Sequence, residues 1–397
     1  MKPFNILHGL KLCFYLLVLS AVASSCKPEE VVPPSDDPGD GARIVREEHI
    51  AASHMKAYHF VYPSVDPYGN PTTLSGTITM SDALQAGDLA EGIMLYNHFT
   101  IYRADQCPSR GGLEEQAFIV DSRLITISPD YYGFGVTEEQ PQSYCLSSAN
   151  ARASVDALIE GRKLLEKMGY RWKDNLFNAG YSQGGQTTIA VLREVSQRHP
   201  DIHFTCSFAG AGPYDLPATY RRFVIIDKSA MPSTVVSVML SYNHFKHLGI
   251  ARDSMFIEPL LSHIDEWVLS KRYTRTEIDS LVGTYSISAF IHPNMMDIDH
   301  PNSQLLMEAL DSDNLCKGWT PRSDEPIVLV HHTLDGAVPV ENTTNLAAFL
   351  EQQGVENLTV MMDDYGSYFG MPAHETGAIV FINTAKEIIS QYLGISW

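Results

Sequence analysis

The stretch Asn175 to Gly185, Asn-Leu-Phe-Asn-Ala-Gly-Tyr-Ser-Gln-Gly-Gly, constrains the fold more than any other part of this 397-residue chain. Residues 176–179 make an apolar run of strand length, and Gln186 to Val195 follows with apolar residues at helical spacing, so Ser182 falls at a strand-to-helix junction. A turn that sharp drives backbone against backbone. The positions two before and two after the serine must then lack side chains, and both, Gly180 and Gly184, are glycine. The Ser182 hydroxyl is predicted to stand clear of the sheet. A three-letter pattern of this kind also describes ordinary glycine-rich turns, so its meaning rests on what surrounds it.

The surroundings alternate strand and helix. Gly92 to Thr100 is an unbroken apolar run ending in a polar loop, the mark of a strand buried on both faces. Leu124–Ser128 is the next strand, leading into Asp130-Tyr131-Tyr132-Gly133-Phe134-Gly135, and a helix is predicted from about Asn150 to Met168. After the Ser182 turn and its helix comes a strand over Phe204–Ala209. This rhythm predicts an α/β fold: a mostly parallel sheet with helices on both faces. Ahead of it, Val45 to Tyr62 and Leu74 to Met80 alternate apolar with polar and predict an antiparallel pair at a sheet edge.

From about 213 to 325 the alternation stops, and helical patterns such as Ser233–Leu248 and Ile257–Leu269 take over. An insertion this long must carry its own structure, and a helical cap is expected. Met231, Met239, Met255, Met295 and Met296 either line a pocket there or fill gaps in its core. Alternation resumes at Ile327–Val330, followed by Asp335, a helix over Glu341–Gln352, a strand over Leu358–Met362, a loop holding His374, and a last helix over Ala378–Leu393.

A hydrophobic content of 44% supplies a large core, and a net charge of −19 opposes nucleic acid or an anionic lipid surface as partner. The first 26 residues read as an export signal: Lys2 and Lys11, an apolar run from Leu12 to Ala23, then Ser24-Ser25-Cys26. Residues 27–43, acidic and proline-rich, read as a solvated tether, which leaves 44–397 to fold. Cys107 and Cys145 sit in predicted polar loops, and export permits a disulfide between them; Cys206, in an apolar run, reads as a buried thiol. No cysteine has zinc-ligand spacing.

A serine hydroxyl is a poor nucleophile at neutral pH, so it needs a base in hydrogen-bond reach and a carboxylate to hold that base. Asp335, after a buried strand, and His374, in the following strand's loop, supply them, with Asp363 or Asp364 as rival carboxylates. His331 and His332 lie beside the acid strand and read as packing residues. Asp130 reads as a turn-capping carboxylate. The developing oxyanion needs two N–H donors: Gln183, next after the serine, gives one, and Phe99 or Thr100, after the strand that ends near His98, gives the other.

On Gly180-Tyr181-Ser182-Gln183-Gly184-Gly185, Asp130 to Gly135, Asp335 with Val338-Pro339, and His374, in the order serine, acid, histidine, residues 45–397 resemble the α/β-hydrolase superfamily, and within it secretory lipases and esterases with a helical lid. The resemblance implies a Ser182–His374–Asp335 triad acting on a small-molecule carboxylic ester through an acyl-enzyme, without metal or cofactor. Phe99 stands where such loops often carry glycine. The same scaffold also hosts serine peptidases of the prolyl-oligopeptidase kind, and a binding protein with lost chemistry would lack a triad member. The Ser-Ser-Cys ending resembles a bacterial lipoprotein signal, implying lipidation of Cys26 and anchorage to the outer membrane. Oligomeric state and the chemical identity of acyl and alcohol groups are not legible.

Overall fold

The computed structural model describes residues 41–112 and 123–395. The predicted leader, Cys26 and all but the end of the acidic tether lie outside the described residues.

Eleven strands are present among these residues: β1 (Arg43–Ile50), β2 (Met55–Val65), β3 (Pro71–Ser81), β4 (Leu89–Ala90), β5 (Gly92–Asn97), β6 (Leu124–Pro129), β7 (Arg171–Trp172), β8 (Leu176–Tyr181), β9 (Cys206–Gly210), β10 (Ile327–His332) and β11 (Leu358–Asp363). Nine of them form one sheet in the order β1-β2-β3-β6-β5-β8-β9-β10-β11, while β4 and β7 make a separate small pair. The first four in that order run antiparallel, and from β6 to β11 every pairing is parallel. The expected antiparallel pair is therefore three strands. A single turn of 3₁₀ helix at Ala51–Ser53, closed by His54 in the left-handed conformation (φ 50°), folds the first alternating run back on itself. No glycine or proline marks that turn in the sequence, so alternation runs through it unbroken.

Because β5, β6, β8, β9 and β10 are covered on both sides, their residues divide by parity between two cores. Ile93 and Leu95 of β5, Ile125 and Ile127 of β6 and Leu329 of β10 face helices α1 (Ser147–Lys167), α2 (Gln183–Arg198) and, near the far edge, α9 (Glu341–Gln352). Met94, Tyr96, Phe177, Ala179, Phe208 and Val330 face the opposite way, onto Phe381, Ala385 and Ile389 of α10 (Ala373–Leu393). Helix α10 starts five residues earlier than its apolar periodicity suggested, so His374 lies in its first turn and not in a loop. Pro372, just ahead, suits a helix start because its missing N–H is one the first turn would leave unpaired anyway.

Between β9 and β10 the chain forms a helical cap: α3 (Leu216–Ile226), α4 (Pro232–Phe245), α5 (Leu260–His263) continued by a π-helical turn over Ile264–Leu269, α6 (Arg275–Val282), α7 (Pro293–Met296) and α8 (Pro301–Asp311). These pack around a cluster of their own that includes Val236, Met239, Tyr242, Met255, Phe256, Phe290, Met295 and Leu306. Tyr102, Tyr144, Cys145 and Leu146 from the sheet domain complete that cluster and weld the cap to the domain below.

The Cys107–Cys145 disulfide that export would permit is not formed: both are free, buried thiols. Cys107 packs with Ile101 and Phe134, whereas Cys145 belongs to the cap cluster, so two different apolar environments hold them. The segments read as polar loops were in fact buried, and burial pushes both thiols far above their usual range. Cys206 is buried in β9, as its apolar neighbours implied.

Candidate active site

Ser182 occupies the junction between β8 and α2 with φ 58° and ψ −122°, a conformation that costs a residue with a side chain on the order of 1–3 kcal/mol. The surrounding backbone enforces it: Ser182 N–H donates to Gly210 O at 2.8 Å, and Ser182 O accepts from Gln186 N–H at 3.0 Å. The flanking glycines are required by contact. A Cβ on Gly180 would lie 2.4 Å from the Gly184 carbonyl oxygen, and one on Gly184 would lie 2.0 Å from that of Asn97.

Beneath this turn lies a buried polar network that sequence reading missed. Asn97 Nδ2 donates to Asn178 Oδ1 (2.9 Å) and to Thr188 Oγ1 (3.1 Å), and Ser154 Oγ donates to Asn97 Oδ1 (2.9 Å). The network ties the ends of β5 and β8 to α1 and α2, and so fixes the Asn97 carbonyl against the turn. The visible signal was an asparagine in each of two otherwise apolar strands.

The structure brings Ser182, His374 and Asp335 together at the carboxyl ends of β8, β10 and β11. His374 Nε2 lies 3.0 Å from Ser182 Oγ, and His374 Nδ1 lies 2.6 Å from Asp335 Oδ2. All three residues are buried. The other Asp335 oxygen, Oδ1, accepts from Ala337 N–H (2.8 Å) and Val338 N–H (2.9 Å), so the loop after β10 holds the carboxylate from behind. Burial by itself would raise the Asp335 carboxyl, but the nearby His374 charge and hydrogen bonds from His331 and His374 outweigh it and hold Asp335 well below the carboxylate range. For His374 burial disfavours the cation, yet the Asp335 charge and hydrogen bond prevail and raise its pKa above 6.5. The first turn of α10 is pinned too: Tyr181, beside the serine, donates its hydroxyl to His374 O at 2.7 Å.

The other candidates are placed differently. Asp363 and Asp364 are exposed and accept from backbone N–H groups of their own turn. His331 Nε2 bonds Val338 O (3.0 Å) and sits 3.4 Å from Asp335 Oδ2, bracing the acid loop, and His332 Nε2 donates to Gly366 O (2.9 Å). Asp130 accepts from Ser75 Oγ and from Ser109 N–H at 2.8 Å, which orders the neighbouring loops. His98 is buried with its ring nitrogens on Phe99 O (2.7 Å) and Asp130 O (3.2 Å), and burial lowers its pKa. The Gln183 N–H, first in α2, has no intrahelical partner and opens beside Ser182. Phe99 turns its side chain outward at 40% exposure, while Thr100 is buried with Oγ1 2.9 Å from the Tyr144 hydroxyl.

A slot opens from Ser182 and Gln183 into the cap. Its walls are apolar, with Leu216, Phe223, Val235, Met239, Leu306 and Leu310 contributing from three cap helices. Its cavity volume is about 50 Å³, so the slot is narrow. Met231 and Met239 line it, whereas Met255 and Met295 are core residues of the cap and Met296 packs at that core's margin. Among the described residues no group of His, Cys, Asp and Glu side chains could hold a metal ion.

A nine-stranded sheet, parallel from β6 onward, with helices on both faces, a cap between β9 and β10, and a sharp strand-to-helix turn at Ser182 after β8 defines the α/β-hydrolase fold. Solved structures with the same architecture include the rice cell wall degrading esterase LipA from Xanthomonas oryzae (TM-score 0.73, 19% identity, covering 85% of this chain and 91% of that one). A hydrolase of Legionella pneumophila is similar at TM-score 0.74 and 21% identity, covering 85% of this chain and 89% of its own. Candida antarctica lipase A in its closed state is more distant, at TM-score 0.64 and 11% identity over 90% of this chain and 83% of its own. No family model and no curated protein matches the sequence.

Proposed function

We propose that this protein is a serine hydrolase that cleaves carboxylic esters. The observation that carries the reading is the relay from Asp335 Oδ2 to His374 Nδ1 (2.6 Å) and from His374 Nε2 to Ser182 Oγ (3.0 Å). Asp335 keeps the proton on Nδ1, which leaves the Nε2 lone pair facing the serine hydroxyl. Ser182 Oγ attacks the acyl carbon as His374 takes its proton; the tetrahedral intermediate collapses as His374 protonates the leaving alkoxide. Water then adds to the acyl-enzyme by the same route, releasing the acid and restoring Ser182. Gln183 N–H and the N–H of Phe99 or Thr100 serve as oxyanion donors. The chain's own residues supply each of these steps, so the reading calls for no cofactor.

The apolar slot suits an acyl chain better than a peptide, because a peptide's N–H and C=O groups would be buried there unpaired. Esterase and lipase names among the structural neighbours support the same class. A folded Ser182→Ala variant is expected to lose p-nitrophenyl ester hydrolysis by about 10⁴-fold or more and to lose fluorophosphonate labelling. Labelling or hydrolysis at the wild-type level would overturn the reading. The export reading is separate: Ser24-Ser25-Cys26 after an apolar run supports a lipid anchor at Cys26 and an outer-membrane location. A Cys26→Ser variant expressed in a Gram-negative host should leave the membrane fraction.

A further inference from the structure

The cap touches the site at a second place, away from the slot. Arg275, the first residue of α6, donates from Nη1 to Asp279 Oδ2 one turn on (2.8 Å) and from Nη2 to Glu375 Oε1 (3.2 Å), the residue that follows His374. The other Glu375 oxygen, Oε2, is buried and has no hydrogen-bond partner among the described residues. Asp279 Oδ1 in turn accepts from Ser233 N–H (2.8 Å), in the first turn of α4, whose next residues, Thr234 and Val235, line the slot. On the acid side, Ala230 N–H donates to Gly336 O (2.9 Å), so the strand of chain entering α4 also holds the Asp335 loop. One continuous path of polar contacts thus runs from the slot wall to the turn that carries His374.

We propose that Arg275 and Glu375 form a positioning pair that couples the seating of the cap to the orientation and charge state of His374. The proposal rests on the reading of His374 as the general base. Asp335, backed by His331 and set in the loop after β10, touches that imidazole, and the Tyr181 ring at the end of β8 lies 5.1 Å from it centroid to centroid; the other charged groups that act on it are Glu375, the next residue of its helix, and Arg275 of the cap, which is bound to Glu375. Glu375 favours the imidazolium and Arg275 opposes it. With the cap seated the two act against each other. If α6 lifts, Glu375 is left uncompensated beside His374, the ring holds its proton more tightly, and a smaller fraction of it is free base near neutral pH. A seated cap therefore keeps more of His374 in the unprotonated form that can accept a proton.

The test is the pH dependence of kcat/KM for a short-chain p-nitrophenyl ester, measured on the full chain. Arg275→Gln is expected to move the acidic limb upward by about half a unit, an approximately threefold loss on that limb, with little change at high pH. Glu375→Gln should move it downward by a similar amount, and the double variant should return close to wild type. Arg275→Lys, which keeps the charge, should hold the limb in place even where the planar bond is lost. A merely structural role would lower the plateau in each variant and leave the midpoint unmoved, and that result overturns the proposal. A wild-type chain that neither turns over esters nor reacts with a fluorophosphonate would instead overturn the functional reading beneath it.

Discussion

At the scale of single residues, the site is a problem of proton placement. In the proposed reaction His374 has to be neutral to accept the Ser182 proton, and its pKa is raised above 6.5 by Asp335. Ester hydrolysis by the wild type should therefore fall away on the acid side with a midpoint above 6.5, read from a kcat/KM profile. The same shift acts oppositely on stability. A histidine whose folded pKa exceeds its unfolded value stabilises fully below the unfolded pKa, and loses that contribution as pH rises through the folded one. Asp335→Asn removes the charge while keeping the shape, and a drop in kcat of about 10⁴ is expected from the wrong imidazole tautomer, with the melting temperature changed far less. Serine, acid and histidine were legible as residue types and in chain order. Tyr181 and Glu375 were not, because their partners, His374 and Arg275, lie a hundred or more positions away.

At the scale of elements, the turn between β8 and α2 is fixed by backbone crowding. Gly184→Ala would put a methyl 2.0 Å from Asn97 O, which the buried asparagine network prevents from moving. The expected outcome is little or no soluble, cooperatively melting protein, since relief requires separating α2 from β5. The cap helices set what enters. Leu310→Trp in α8 would close part of a slot that is already narrow, and kcat/KM for long-chain relative to acetyl esters should fall by about tenfold. A fall shared equally by all chain lengths would place the acyl group elsewhere. Helix α10 shows how element boundaries escape sequence reading: its apolar stripe begins near Ala378, yet Pro372 and the Tyr181 hydroxyl start the helix early enough to include His374.

At the scale of the whole molecule, Asp313 joins the parts. It is buried, and its carboxylate accepts from Ser147 N–H at the start of α1 (2.7 Å), from Arg193 in α2 (3.1 Å) and from the Tyr242 hydroxyl in cap helix α4 (3.2 Å). Asp313→Ala would strand the Arg193 charge and the buried Ser147 N–H together, while the Tyr242 hydroxyl keeps the Cys145 carbonyl oxygen as acceptor. A loss of about 3–5 kcal/mol in unfolding free energy by urea titration is expected, with the cap loosened from the domain. A change below about 1 kcal/mol would mean that water or neighbouring groups take over its bonds.

The sequence by itself determined the parallel sheet, the sharp turn at Ser182 and the ordering of serine, acid and histidine along the strands, because each is written in local periodicity or in glycines that a tight turn cannot do without. Only the tertiary structure decided that the first strand run is split in two, that Cys107 and Cys145 are separate buried thiols, and that a cap arginine reaches the residue beside His374. Those outcomes depend on which distant side chains share one apolar cluster or one hydrogen bond, and no spacing along the chain encodes them.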